Sequence, residues 1–239
     1  MHLEGFHAVK HALRFAPALV REVAVADRAA AVALAADLAP DVGPWLADAV
    51  VRPVAHHTGV EAVARRPAPD ACVLRARTSP LVVLDAPRSG GNAGAVVRVA
   101  AAAGASGVAL SGGTLDPWGA DVLRGSAGLH YALPVLGGVG PTDVRGPVVV
   151  LDAGGEDVPL PAGAVLVVGS ERHGLSPAWR DRADAVLSLP MREGVSSLNL
   201  ATAVAAALYR SSGRPPSSRS SAAPVRPVSS ISDIGGSAT

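Results

Sequence analysis

From Leu81 onward the sequence alternates short, wholly apolar runs with helix-length segments: LVVLD at 81–85, GVALS at 107–111, VVVLD at 148–152, AVLVVG at 164–169 and AVLSLP at 185–190. A strand with one wet face alternates apolar and polar residues. A run that is apolar at every position must be covered on both faces, and helices that cross between parallel strands supply that cover. The pattern therefore predicts an α/β unit with a mainly parallel sheet over residues 81–210. Asp116-Pro117 and Ser176-Pro177 each place a capping residue before a proline, so helices are expected to start at Trp118 and Ala178.

Residues 1–72 read as a smaller α/β unit: FHAVKHALRF as a helix, EVAVAD as a strand, RAAAVALAADLA as a helix and AVVRPVA as a second strand. Nothing in it has a catalytic pattern. His56 and His57 are adjacent, so on a strand their side chains would point to opposite sides and not share a metal; they are expected to be surface or loop histidines. Residues 73–80 are the expected linker. Arg65, Arg66, Arg75 and Arg77 flank it, and either contact phosphates or solvate a passage that contains Pro67, Pro69 and Pro80. Residues 211–239, rich in Ser, Pro and Gly, bury too little apolar surface to order themselves and are expected to be a disordered tail.

Hydrophobic residues make up 49% of the chain and charged residues 17%, which reads as globular; with aromatics at 3%, the core must be built from Ala, Val and Leu. No apolar run reaches the roughly 18 residues that a membrane span needs. MHLEGFHAVKHALRF lacks the continuous apolar centre of a secretory signal, so a cytoplasmic protein is expected. The single cysteine, Cys72, excludes an internal disulfide and a cysteine zinc cluster, and is expected to be a small core residue. A net charge of +1 does not by itself mark a nucleic-acid binder. All the basic residues but Lys10 are arginine, whose planar fork suits phosphate.

Three stretches carry chemistry. LVVLDAPRSGGNAGAVVRVAAAA runs from a strand through a glycine-rich turn into a helix, an arrangement that aims backbone amides at an anion or a sugar. Gly90, Gly91 and Gly94 do not make the dinucleotide fingerprint G-x-G-x-x-G, and no acidic residue follows about 20 positions on, which disfavours a nicotinamide-dependent dehydrogenase. Arg98 lies four residues past Gly94, either reaching back toward the turn or simply exposed on the helix. In AVLVVGSERHGLSP, Gly169 and Gly174 bracket a charged loop, as a backbone lying against a ligand requires. The absence of G-x-S-x-G there counts against a serine hydrolase. His173 is an acid/base candidate or, more commonly for such a position, a solvent-facing loop residue. In LSLPMREGVSSLNLATAVAAALYR, Ser196 or Ser197 is a candidate cap for a helix with a buried stripe at Leu200, Val204 and Leu208. All three stretches lie at strand carboxyl ends, where open α/β sheets bind ligands.

Taken together, N-x-G-x-x-x-R in the first stretch, G-S-E-x-x-G-L in the second, L-P-M followed by S-S-L-N in the third, and RGSAGLHYALPV between them resemble the SpoU/TrmH family of SPOUT RNA methyltransferases. The resemblance covers residues 81–210. More weakly, residues 1–72 resemble the ribosomal-protein-like substrate-binding domain that precedes the catalytic domain in rRNA-type members. The resemblance implies a SPOUT-type, mainly parallel sheet with a C-terminal trefoil knot, preceded by a small RNA-binding α/β domain, in a homodimer. It implies methyl transfer from S-adenosylmethionine to a ribose 2′-hydroxyl of rRNA or tRNA. Carried over by position, Gly169, Leu189 and Leu198 meet the cofactor, and Ser170, Glu171, Gly174, Met191, Ser197 and Asn199 form its loops. Asn92, Arg98, Glu171, Ser197 and Asn199 surround the reacting ribose. Two positions depart from the family pattern, both on the RNA side: Arg88-Ser89-Gly90-Gly91 stands where an Asp-Pro often precedes the asparagine, and Val99 follows the arginine in place of Thr. The alternative function is a non-catalytic RNA-binding relative of the same fold.

Overall fold

A computed structural model describes residues 1–113, 115–195 and 197–211. The predicted tail therefore lies outside the described residues, apart from Ser211. The first part of the chain contains β1 (His2–Glu4), α1 (Phe6–Phe15), β2 (Val20–Val25), α2 (Arg28–Leu38), α3 (Gly43–Ala47), β3 (Val50–Val51) and β4 (Val60–Ala64). Its four strands are ordered β1-β4-β2-β3. The expected helices are present, with Asp27 capping α2 through Ala30 N–H at 3.0 Å. Strands β1 and β4 were not expected. In β4 the apolar run is broken by Glu61, a carboxylate that is buried because Arg52 Nη1 lies 2.6 Å away and His2 Nε2 3.2 Å away. Burial of a charge is tolerable only with such partners, and sequence periodicity does not register them.

The second part contains β5 (Leu81–Leu84), α4 (Gly90–Ala103), β6 (Gly107–Leu110), α5 (Ala120–Ser126), β7 (Val135–Gly137), β8 (Val148–Glu156), β9 (Val165–Val168), α6 (Pro177–Arg182), β10 (Ala185–Leu187) and α7 (Leu200–Ser211). Its six strands are all parallel, in the order β10-β8-β9-β5-β6-β7. The two-sided burial expected of the apolar runs is present and is divided by strand period. Val82, Leu84, Val108, Leu110, Leu166 and Val168 join the core beneath α4 and α7, whereas Leu81, Val83, Ala109, Val165 and Val167 join a second core around Trp179. In α7 the stripe Leu200, Val204 and Leu208 is buried, and the helix packs on α4. Strand β7, three residues long and preceded by Pro134, is too short to leave a period in the sequence.

Some expectations are corrected. Ser176-Pro177 does open α6, with the proline as its first residue. Asp116-Pro117 instead forms a turn: Asp116 Oδ1 accepts from Trp118 N–H at 2.9 Å, and α5 starts at Ala120. Trp118 is held inside that turn because its indole is buried and donates to the Val135 carbonyl at 3.2 Å. Cys72 is exposed, on a 3₁₀ turn of the linker capped by Asp70. His56 and His57 do lie in a loop, as expected, with their ring centroids 4.2 Å apart and the rings tilted by 35°. Arg77 proves to be structural, donating to the carbonyls of Val73, Leu74 and Arg145. Arg66 lies over the Trp118 ring at 5.1 Å.

Helix α1 ties the two parts together. A Cβ at Gly128, whose φ is +76°, would lie 2.7 Å from the Ala8 carbonyl oxygen, so only glycine admits this contact. One turn along α1, His11 Nδ1 is 2.7 Å from the Ala127 carbonyl oxygen.

Candidate active site

At the carboxyl ends of β8, β9 and β10 the chain encloses a crevice of about 450 Å³, within the range for small-molecule sites. Each wall has a local cause. Beyond β9, Ser170 and Gly174 exchange backbone hydrogen bonds of 3.0 and 2.9 Å, which pins the loop between them. Gly169 makes the pin possible, since a Cβ there would fall 2.2 Å from the Gly174 carbonyl carbon. Gly174 itself has φ +65°, a conformation natural to glycine. Behind the loop, buried Asp85 accepts from Ser176 N–H at 2.6 Å and from the Ser111 hydroxyl at 2.7 Å, so the end of β5 braces the end of β9.

A polar chain joins three segments across the crevice. Asn92, on the first turn of α4, donates through Nδ2 to Glu171 Oε1 at 2.7 Å. Asn199 Nδ2 donates to Asn92 Oδ1 at 3.3 Å, and Asn199 Oδ1 accepts from Ala201 N–H at 3.0 Å. Asn199 is thus the cap of α7, and the expectation for Ser196 or Ser197 is corrected: the helix starts at Leu200, so the cap falls one residue before it. Ser196 lies outside the described residues.

Gly169, Ser170, Glu171, Gly174, Leu189, Met191, Ser197, Leu198, Asn199 and Asn92 all line this one crevice. Arg98 does not line it; it is exposed on α4, close enough to act electrostatically on His7 and Lys10 of α1. The glycine-rich segment is not a loop, because Gly90, Gly91 and Gly94 lie within α4, whose cap is Ser89, accepting from Asn92 N–H at 3.2 Å. Gly94 serves packing: a Cβ there would lie 2.3 Å from the Val122 carbonyl oxygen of α5. His173 is exposed and lies outside the crevice lining.

Sequence reasoning missed Leu151, Asp152 and Ala153, which line the wall formed by β8. The available signal was their place at the carboxyl end of the VVVLD run. Asp152 and Glu171 give the crevice two carboxylates, the first offset by Arg180 at 3.5 Å and the second bonded to the neutral Asn92.

A helix-covered parallel sheet whose strand-end loops converge on one crevice defines an α/β fold that can hold a small ligand at its strand carboxyl ends. The chain belongs to the SpoU rRNA Methylase family, whose model matches residues 79–209. It is 35% identical over 167 residues to the 23S rRNA (uridine(2479)-2'-O)-methyltransferase of Streptomyces viridochromogenes, covering 63% of this chain and 58% of that protein's length. It is 28% identical over 223 residues to the 23S rRNA (guanosine(2553)-2'-O)-methyltransferase RlmP of Bacillus subtilis, covering 88% of each. Among solved structures, the SpoU methyltransferase AviRb from Streptomyces viridochromogenes in complex with AdoMet superposes with a TM-score of 0.69 at 24% identity over 88% of each chain. That likeness establishes the fold.

Proposed function

We propose that this chain transfers a methyl group from S-adenosylmethionine to a ribose 2′-hydroxyl of RNA. The activities for which these relatives are named favour ribosomal over transfer RNA. The observation that carries this reading is the convergence of three loops, distant in sequence, on one crevice. The residues present fit the cofactor: Gly169 leaves room where a Cβ would sit, Leu189 and Leu198 offer apolar surface, and the Glu171 carboxylate suits a cation. When bound, S-adenosylmethionine supplies a methyl group already activated by its sulfonium.

The protein's tasks are to align the hydroxyl and to manage its proton. Asn92 and Asn199, tied to one another, orient the ribose. Glu171, fixed by Asn92, offers the acceptor for the hydroxyl proton. Arginine stays protonated at any working pH, so Arg98, on α4 outside the crevice, grips a phosphate beside the target. Ser197 completes the rim on the α7 side.

The same reading assigns residues 1–72 to RNA binding, 73–80 to a linker and 81–210 to methyl transfer. It also takes the C-terminal segment to be a trefoil knot; the insertion of β9 between β8 and β5 and the return of α7 onto α4 support that topology. Exposed Val186, Val195 and Tyr209 near this segment support a homodimer. Among the described residues no helix is long and apolar enough to cross a membrane, and action on ribosomal RNA supports a cytoplasmic location.

The test is calorimetric binding of S-adenosylmethionine together with transfer of a labelled methyl group to ribosomal RNA, read as alkali-resistant dinucleotides. Arg98→Ala should abolish transfer while cofactor binding survives, and a fully active variant would overturn its role. A wild-type protein that binds RNA but no cofactor would instead be a non-catalytic relative.

A further inference from the structure

We propose that the seam between α1 and α4, marked by His7, Lys10 and Arg98, is the track on which the phosphate backbone of substrate RNA approaches the crevice. The inference rests on the methyltransferase reading and names the surface that this reading leaves open.

His7, Lys10 and Arg14 recur at three- and four-residue spacing, which places them along one side of α1. His7 and Arg14 are exposed and Lys10 half-buried, with Lys10 Nζ 3.2 Å from His7 Nδ1. Arg98, on α4, is close enough to act electrostatically on His7 and Lys10, and six residues set it about 9 Å along the helix axis and about 120° around it from Asn92. A strand entering the crevice at Asn92 and curving over α4 toward α1 therefore brings its neighbouring phosphates to Arg98.

The cluster is not neutralised from within. Asp41 gives both carboxylate oxygens to Arg14, at 2.8 and 2.5 Å. Among the described residues neither Lys10 nor Arg98 forms an ion pair. The pKa values of His7 and Lys10 are both lowered, first by burial and then by their cationic neighbours, Arg98 among them, with Asp41 acting on Lys10 in the opposite sense. Uncompensated like charges oppose folding, and a polyanion laid along them turns that repulsion into attraction.

The track is also rigid with respect to the crevice. The bond from His11 to the Ala127 carbonyl and the glycine contact between Gly128 and Ala8 hold α1 against the turn after α5, and α5 packs on α4 through Gly94 and Gly125. Phosphates bound on α1 therefore fix the register of the strand relative to Asn92, and α1 acts in positioning, with no part in the chemistry.

The experiment is fluorescence anisotropy with labelled transcripts tiling 23S ribosomal RNA, across a salt series, with cofactor affinity measured on the same preparations. Lys10→Ala should weaken RNA binding about fivefold and lower the dependence of log K on log salt by about 0.7, one single-strand phosphate contact. Lys10→Glu should weaken it further, and His7→Gln should give a smaller loss, all with cofactor affinity unchanged. Arg145→Ala removes an equal charge from the opposite face of the sheet, where Arg145 lies beside α6, and should leave binding within about twofold of wild type. Unchanged affinity and salt slope in Lys10→Ala, or an equal loss in Arg145→Ala, would overturn the proposal. RNA binding is read directly, so failure of methyl transfer in the wild type would sink the catalytic reading alone.

Discussion

Acid should destabilise this protein through His130. The imidazole is 1% exposed, with Nε2 2.8 Å from the Pro117 carbonyl oxygen and Nδ1 2.7 Å from Ser126 Oγ. A carbonyl can only accept, so Nε2 carries the proton; in the neutral ring Nδ1 accepts the single Ser126 hydroxyl proton, for which the Leu123 carbonyl at 2.9 Å competes. Burial outweighs the carbonyl's preference for the charged form and pushes the pKa down to about 4 from 6.5. Because the folded value is depressed, the unfolded chain binds more protons between those limits. Stability is full above about pH 6.5 and is lost as pH falls toward about 4. At about 1.4 kcal/mol per unit the whole window is worth about 3 kcal/mol, of which about 2 should be gone by pH 5. That is a sizeable part of an ordinary domain's stability. Urea unfolding at several pH values between 4.5 and 7.5 measures it, with His130→Asn as the reference that lacks the titrating ring. Wild type should lose about 2 kcal/mol more than the variant between pH 7.5 and 5. Parallel pH profiles, or a ¹³C-labelled His130 ring that titrates near 6.5 in the folded protein, would refute the reasoning.

Gly169→Ala should open the pinned loop, because its Cβ would meet backbone atoms of Gly174 and Leu175 that cannot swing aside. Calorimetry should show S-adenosylmethionine affinity falling by at least about tenfold with about 1–3 kcal/mol of lost stability, and wild-type affinity would contradict the cradle. Gly94→Ala should separate α4 from α5 at a similar or larger cost, read as a drop in melting temperature; an unchanged midpoint would show that the helices yield freely. Asn199→Ala removes the cap of α7 and the bond to Asn92, so about 1 kcal/mol of stability, cofactor affinity and turnover should all fall together. Unchanged cofactor affinity would count against its place in the loop.

The unbroken apolar runs were enough to specify a parallel sheet, because burial on both faces leaves no other pattern for LVVL or VLVV. The start of α6 was legible for a related reason, because the Ser176-Pro177 pair acts on its own local backbone, whereas the glycines that read as a turn proved to be the first turns of α4, capped by Ser89. By contrast, Asp116-Pro117 was misread, since whether it caps a helix or closes a turn depended on where Trp118 could be buried. Glu61 hid β4, and Cys72, a residue type usually buried, lies exposed because the linker turn around it packs little.

The site divides in the same way. Glycines flanking charged residues marked Gly169 to Gly174, and a polar loop after a strand marked Met191 to Ser197, because strand direction fixes where the loops emerge; Leu189, Leu198 and Asn199 were reached only through the family resemblance. Three facts belong to the tertiary structure: Asp85 braces the loop through Ser176, Asn92 meets Glu171 and Asn199 from another helix, and Arg98 faces α1 outside the crevice. The physical reason is range. Burial periodicity, capping and turn geometry act within a few residues and are written in the order of the letters, whereas a hydrogen bond between positions 92 and 199 exists only once packing has brought two helices together.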